Sequence, residues 1–460
     1  MPAARRVRGA RADAAPARRR ARRLAPSLLL GALLLAVSGC ATYSDSFRPI
    51  EQQLQAQRYD LALQELERKP HPDRDEVLYL LNRGMLTRMN RDLEASNQAL
   101  EAAKQRMEAL YAASVSEHAL AFVINDATLS YAGEEYEQVL VRVYKALNYL
   151  EQGQPDAARV EALQIDIKLR EIAERLPENR YAGDAFARYL TGLVYEELGE
   201  WSDALIAYRK AYEAYRTYRR NNAGEPPSQL KQDLLRLTSR QGLRDELAKY
   251  RKEFAIDRWM SLEELGQGGE LVFLLHNGLA PIKREHAVTV VNPNSGHLIR
   301  VSLPYYQTRA PAVTAARLNL GGSAATTEPA EDVQAMAVES LNAKMPVITA
   351  RAVARAAVKQ EVARKAGGRD NRDQQASLAP ALLSLTVEVA GLLTERADTR
   401  SWLTLPHDIQ LVRLPLPPGE YTVNVELLGP HRQAIETRTL PRVTIRKGHK
   451  TFVSQHVVSP

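Results

Sequence analysis

Tyr189–Tyr212, YLTGLVYEELGEWSDALIAYRKAY, decides how this chain is read. Its apolar residues recur at helical spacing on both sides of Gly199, which predicts two helices joined by a tight turn. Gly192 and Ala204 are twelve residues apart and fall where the two antiparallel helices cross, so neither position has room for bulk. Tyr195, Trp201 and Tyr208 fill the space around that crossing. The spacing recurs: Gly84 to Ser96 and Ala146 to Ala158 are also twelve, and Ala62 and Ser96 are thirty-four apart. Leu66, Leu100, Ala162 and Tyr208 each follow the small crossing residue by four. Four units are expected, with turns near Gln57, Arg91, Gly153 and Gly199. An insertion around Ser114–Ala132 breaks the spacing in the middle.

The Tyr189–Tyr212 unit resembles a tetratricopeptide (TPR) repeat, with Gly192, Tyr195, Gly199, Trp201, Ala204, Tyr208 and Ala211 on the signature. The resemblance implies a helical solenoid over 46–255. Ser228–Phe254 reads as one further helix capping its open end. Tyrosines crowd the last unit. Tyr212, Tyr215 and Arg216 are candidates for contact with a partner, since amphipathic aromatics suit interfaces; core filling is the competing reading.

Past a linker at 256–268 the composition changes to strands. GELVFLLHNG (Gly269–Gly278) reads as a buried strand ending in a turn. Val288–Val291 and His297–Leu303 follow. After Pro406, strands are expected over Ile409–Leu414, Tyr421–Leu427, Ala434–Leu440, Val443–Ile445 and Thr451–Val458. The turn LPPGEYTV (Leu416–Val423) resembles the hairpins of transthyretin-like and related β-sandwich modules. A helical insertion about 330–395 splits this domain, with Leu382–Leu393 expected to pair with the preceding helix. ADTRSWLTLP (Ala397–Pro406) offers Asp398, Arg400 and Trp402 either as a binding patch or as a domain-joining ion pair with a buried indole. The expected fold class is α+β: an N-terminal α-helical TPR-like solenoid, then a β-sandwich-like domain over 269–460.

Cys40 is the one cysteine in 460 residues. It follows a basic arm and the short apolar core Leu28–Val37, and Val37-Ser38-Gly39-Cys40 resembles the lipobox of bacterial lipoproteins. The resemblance implies a signal peptide over 1–39, with Val37, Ser38 and Gly39 read by the signal peptidase. Cys40 would be lipidated and 40–45 would form a tether. Two or three acyl chains anchor stably. By resemblance to the sorting rule of enterobacterial lipoproteins, Ala41 in place of aspartate implies the outer membrane, on its periplasmic side. The formal charge of +7 then loses its meaning as a nucleic-acid footprint. The leader's nine arginines against Asp13 contribute +8, leaving −1 for the remainder.

The repeats, the lipobox, HNGLAPIK (His276–Lys283), ADTRSWLTLP and LPPGEYTV together resemble a largely uncharacterised family of bacterial TPR lipoproteins. That resemblance implies architecture and location but brings no activity. Family members are often encoded near lipoproteins similar to activators of peptidoglycan synthases. No HxxxH, HExxH, GxSxG or GxxxxGK[ST] pattern occurs, and no catalytic residue, metal ligand or cofactor is assigned. The expected role is a non-enzymatic envelope scaffold presenting a concave surface to a protein or peptide. The alternatives are a cell-wall factor that binds peptidoglycan or recruits its synthase, and a cryptic hydrolase.

Overall fold

A computed structural model describes residues 42–116, 129–175, 184–219, 225–291, 296, 298–368 and 396–458. Val37, Ser38, Gly39 and Cys40 lie outside the described residues, as does Leu382–Leu393. The chain divides into Met1–Ser46 and a compact unit, Phe47–Pro460. In the first, the Thr42 and Asp45 side chains cap each other's backbone N–H, opening helix α1 (Tyr43–Gln55). The stretch 40–45, expected as tether, thus already contains helix.

Helices α2 (Tyr59–Arg68), α3 (Glu76–Met89), α4 (Leu93–Ser116), α5 (Glu135–Glu151), α6 (Pro155–Arg175), α7 (Ala185–Glu197), α8 (Trp201–Arg219), α9 (Ser228–Arg240) and α10 (Arg244–Phe254) follow. The pairs α3–α4, α5–α6, α7–α8 and α9–α10 pack as hairpins. One turn is used throughout. Two residues past the helix end, Gln57, Arg91, Gly153, Gly199 and Gly242 adopt φ between +57° and +72°. The next N–H then reaches the carbonyl five residues back: Arg58 to Gln53, Asp92 to Thr87, Gln154 to Tyr149, Glu200 to Tyr195 and Leu243 to Thr238. These bonds satisfy carbonyls that a helix end would otherwise leave bare. Gly242 therefore splits Ser228–Phe254, expected as a single capping helix, into a hairpin of its own.

The stretch 256–268 is more than a linker, because it holds α11 (Leu262–Gln267), capped by Ser261 and Glu264. Strands β1 (Gly269–Asn277), β2 (Ile282–Val291), β3 (Leu298–Gln307), β4 (Ala315–Leu320), β5 (Ser323–Thr326) and β6 (Glu328–Asp332) precede the long helix α12 (Val333–Gly368). After it come β7 (Asp408–Leu416), β8 (Gly419–Leu428), β9 (Ala434–Ile445) and β10 (Lys450–Val457). Two four-stranded sheets result, ordered β10-β1-β7-β6 and β5-β4-β8-β9, with β2–β3 as a separate hairpin. Leu271, Phe273 and Leu275 of β1 meet Leu318 of β4 and Val423, Val425 and Leu427 of β8 in one buried cluster. LPPGEYTV joins strands of different sheets, so it crosses between layers and closes no hairpin. Pro417 and Pro418 lack the N–H that strand pairing there would require. α12 packs Ala352 and Ala356 on Ile299, Val301 and Leu303 of β3.

All nine residues of β1 are buried, although only alternate ones face that cluster. The other face carries Glu270, Val272, Leu274 and His276. It lies against the helical half. The chain is α+β, and its helical and sheet-rich halves belong to one compact unit. The composition change near 256–268 marks a switch of secondary structure within that unit.

Candidate functional site

The small crossing residues sit under large ones. A Cβ on Gly192 would lie 2.3 Å from the Tyr208 ring, and one on Gly84 would lie 2.6 Å from Leu100. Ala146, Ala158 and Ala204 are fully buried, and Ser96 accepts a hydrogen bond from Asn148 at 2.9 Å. Tyr208 gives its hydroxyl to Glu196. Tyr195 is buried near Arg159, and Trp201 covers the Gly199 turn with the Arg240 guanidinium 5.3 Å from its ring.

The inner faces of α3, α5, α7 and α9 are covered by the chain's own sheet. Arg413 of β7 is fully buried. It donates to Asp233 of α9 at 2.6 Å and grips Glu270 of β1 through Nε and Nη2, at 2.9 and 2.6 Å. Arg236 joins Asp233 and Glu196, and Lys450 of β10 joins Glu196 at 3.2 Å. Three cations thus face three carboxylates. Burial works against the Arg413 charge, but Asp233 and Glu270 more than reverse it and raise its pKa well above the usual value. Further along, His276 and His456 stack at 4.3 Å beside Tyr144 of α5. Burial, aided by Arg88 and Arg91, lowers both imidazoles well below their ordinary pKa, so they are neutral. Arg88 of α3 reaches Ser454 of β10 at 2.9 Å.

Most of the residues expected to meet a partner lie inside this seam. Trp402 is buried, its N–H donating to Glu137 of α5 and its indole to Thr404. Arg400 is buried between Asp398 and Asp75, each within 2.9 Å, with the Tyr131 ring 5.3 Å away. These three form the domain-joining ion pair and buried indole, and a binding patch there is corrected. Tyr215 is also buried and donates to the Ala330 carbonyl at 2.7 Å. Tyr212 is buried against Tyr250 and Phe254 with its hydroxyl on Glu253. Arg216 alone of that trio remains half exposed, over the Tyr212 ring. The concave surface expected to await a partner is occupied. No sequence pattern revealed this, because the signal is polar residues at alternate strand positions, Glu270, His276, Arg413, Ser454 and His456, which also read as surface.

The outer side is different. Between α4, α5 and α6 lies a groove of about 940 Å³, lined along α4 by Glu101, Lys104, Glu108 and Tyr111. Gln138 and Arg142 of α5 form part of its lining, and Gln164, Ile167, Lys168, Glu171 and Arg175 of α6 face them. Arg142 is 4% exposed, whereas its partner Glu108, 2.5 Å away, is 52% exposed. Lys104 is likewise buried and bonds Glu101 and Gln164. Arg175 and Lys168 flank the exposed Tyr111 ring at 4.8 and 6.0 Å. Arg142 and Lys104 thus lie at the floor, while Glu108, Glu171 and Arg175 stand at the rim. Burial raises the Glu101 carboxyl, but hydrogen bonds from Lys104 and Lys145 outweigh it and hold the pKa at about 2. Among the described residues its lining carries no Ser, Cys or His, and chemically it can pair ions and bury an apolar side chain. Among the described residues no three His, Cys, Asp or Glu side chains gather as a metal site. No described helix is long and apolar enough to cross a membrane.

No family model matches the chain, and no curated protein matches it. Among solved structures, "MamA MSR-1 C2" is similar with a TM-score of 0.26 and 16% identity, over 45% of this chain and 91% of the other. A mutant of MamA gives 0.27 and 16%, over 45% and 92%. At these scores the likeness carries no argument about this chain.

Proposed function

We propose that this chain is a non-catalytic scaffold of the bacterial envelope that holds a protein or peptide on the outer face of its helical hairpins. The hairpins form a TPR-like solenoid, and the two sheets form a β-sandwich-like resident that fills the solenoid's inner face. Cys40 carries the lipid that ties the chain to the outer membrane from the periplasmic side. Support for the anchor is the Val37–Cys40 pattern behind a short apolar core. The observation that carries the binding role is the occupied inner face. With Arg413, Glu270 and Trp402 buried against the helices, the α4–α5–α6 groove is left as a large accessible recess. Stacked hairpins offer contact area without chemistry.

A photo-crosslinking residue placed at Ile167, exposed at the groove, should capture a discrete partner in intact envelopes. The same residue at Tyr215, buried in the seam, should capture only this chain. Partner capture from Tyr215 and none from Ile167 would overturn the outer-face reading. For the anchor, Cys40→Ser should abolish incorporation of an alkyne fatty acid; equal labelling of mutant and wild type would reject it.

A further inference from the structure

The chemistry of the occupant can be read from the groove, on the footing that the outer groove is the binding surface. We infer that it takes an extended protein segment of about five residues in which a carboxylate stands next to an apolar side chain. The length follows from the walls. Glu101 to Tyr111 on α4 and Gln164 to Arg175 on α6 each span roughly 15 Å at 1.5 Å per residue, and an extended chain rises about 3.3 Å per residue.

The carboxylate follows from Arg142. A guanidinium binds a carboxylate best through Nε and Nη2 together. Arg413 uses that edge in full on Glu270. On Arg142, Nη2 goes to Glu108 and Nη1 to the Gln138 carbonyl, while Nε is buried with no acceptor. A buried donor left without an acceptor is costly. Glu108 is half exposed and loses little by swinging into solvent, so an incoming carboxylate can take the whole edge. The rim carboxylates Glu108, Glu171 and Glu174 would attract a basic segment instead. They are solvated, however, and screened ion pairs of that kind contribute little. Ile167, exposed, supplies the apolar contact.

The test uses the full lipidated chain in detergent and three fluorescein-labelled pentapeptides, in which leucine alternates with glutamate, lysine or serine. Anisotropy should show the glutamate peptide binding about tenfold or more tighter than the other two, with affinity falling as salt rises from about 0.05 to about 0.5 M. Arg142→Lys keeps the charge but loses the fork, and should weaken the glutamate peptide by about tenfold with unchanged melting. If that buried variant melts early, Glu108→Gln, at a half-exposed position, frees the same guanidinium edge of its resident carboxylate and should tighten the glutamate peptide. Tighter binding of the lysine peptide overturns the inference, and so does wild-type affinity in both variants. If Ile167 crosslinking captures a partner while the glutamate peptide fails, the partner chemistry is wrong and the outer-face reading stands. If Ile167 captures nothing, the outer-face reading itself has failed.

Discussion

A side chain at Gly192 would have to share space with Tyr208. Gly192→Leu should destabilise by ~1–3 kcal/mol through overpacking. Glu200→Gln removes a solvent-screened pair with Arg159 and should leave the melt nearly unchanged. Thermal melts compare the two, and an unshifted Gly192→Leu melt would mean that the crossing tolerates bulk. Glu137 offers a second residue-scale test. Its carboxyl accepts from the Trp402 N–H and the Tyr131 hydroxyl, 2.8 and 2.6 Å away. Burial, with Glu134 nearby, still raises its pKa from 4.5 to about 7. The folded chain therefore holds a proton that the unfolded chain releases as pH rises from 4.5 to 7. Stability from this group falls across that window, by on the order of 3 kcal/mol. His276 and His456 act with the opposite sign, since their folded pKa values are depressed and protonation below about 6.5 favours unfolding. The difference between wild type and Glu137→Gln isolates the carboxyl. In urea titrations the variant should gain on wild type from pH 5 to 7.5; parallel profiles would refute the assignment.

Among the elements, the five equal turns differ in their residue. Three use glycine, whereas Gln57 and Arg91 hold a positive φ with a side chain in place. That conformation costs a non-glycine residue roughly 1 kcal/mol. Arg91 has reason to stay, because its guanidinium reaches the Ser454 carbonyl at 2.6 Å. Gln57 makes one exposed 3.5 Å contact with Glu436. Gln57→Gly should thus raise the melting temperature slightly, and a lower value would show that unfolded-chain entropy outweighs the turn. These turns were legible in sequence because a crossing glycine and its partner fix the helix spacing around them. The split at Gly242 was missed, since Ser228–Phe254 is polar enough to read as one solvated helix. β4–β6 were missed too, being short and rich in Ala, with Pro329 and three acidic residues in β6. Strand identity after Pro406 was readable from Gly/Pro punctuation, but sheet membership was not, so LPPGEYTV read as a hairpin. Nothing local to Arg400, Trp402 or Tyr215 distinguishes a binding residue from one already bound within the fold. That distinction rests on Asp75, Glu137 and Ala330, which lie far away in sequence.

For the whole molecule, the seam makes the halves interdependent. Separating them would expose Arg413, Asp233, Glu196 and Glu270, together with the second face of β1. Separation breaks the Arg413–Asp233 and Lys450–Glu196 pairs, while Arg413–Glu270 and Arg236–Asp233 each stay within one half, and it turns Val272 and Leu274 out to water. Residues 47–255 or 269–460 expressed alone should show no cooperative melt, whereas 47–460 should unfold in one transition. Two independent transitions in the intact chain, or a sharp melt of either half, would show that the seam is dispensable.

Solenoids usually gain and lose units freely, because each repeat touches only its neighbours. Here α3, α5, α7 and α9 each have a reserved place on one sheet, from Ser454 under Arg88 to Arg413 under Asp233. A duplicated hairpin would push every later one off its strand. The sheet therefore acts as a ruler for repeat number. In descendants of this chain, length variation is expected in the loops between hairpins while the tally of hairpins stays fixed.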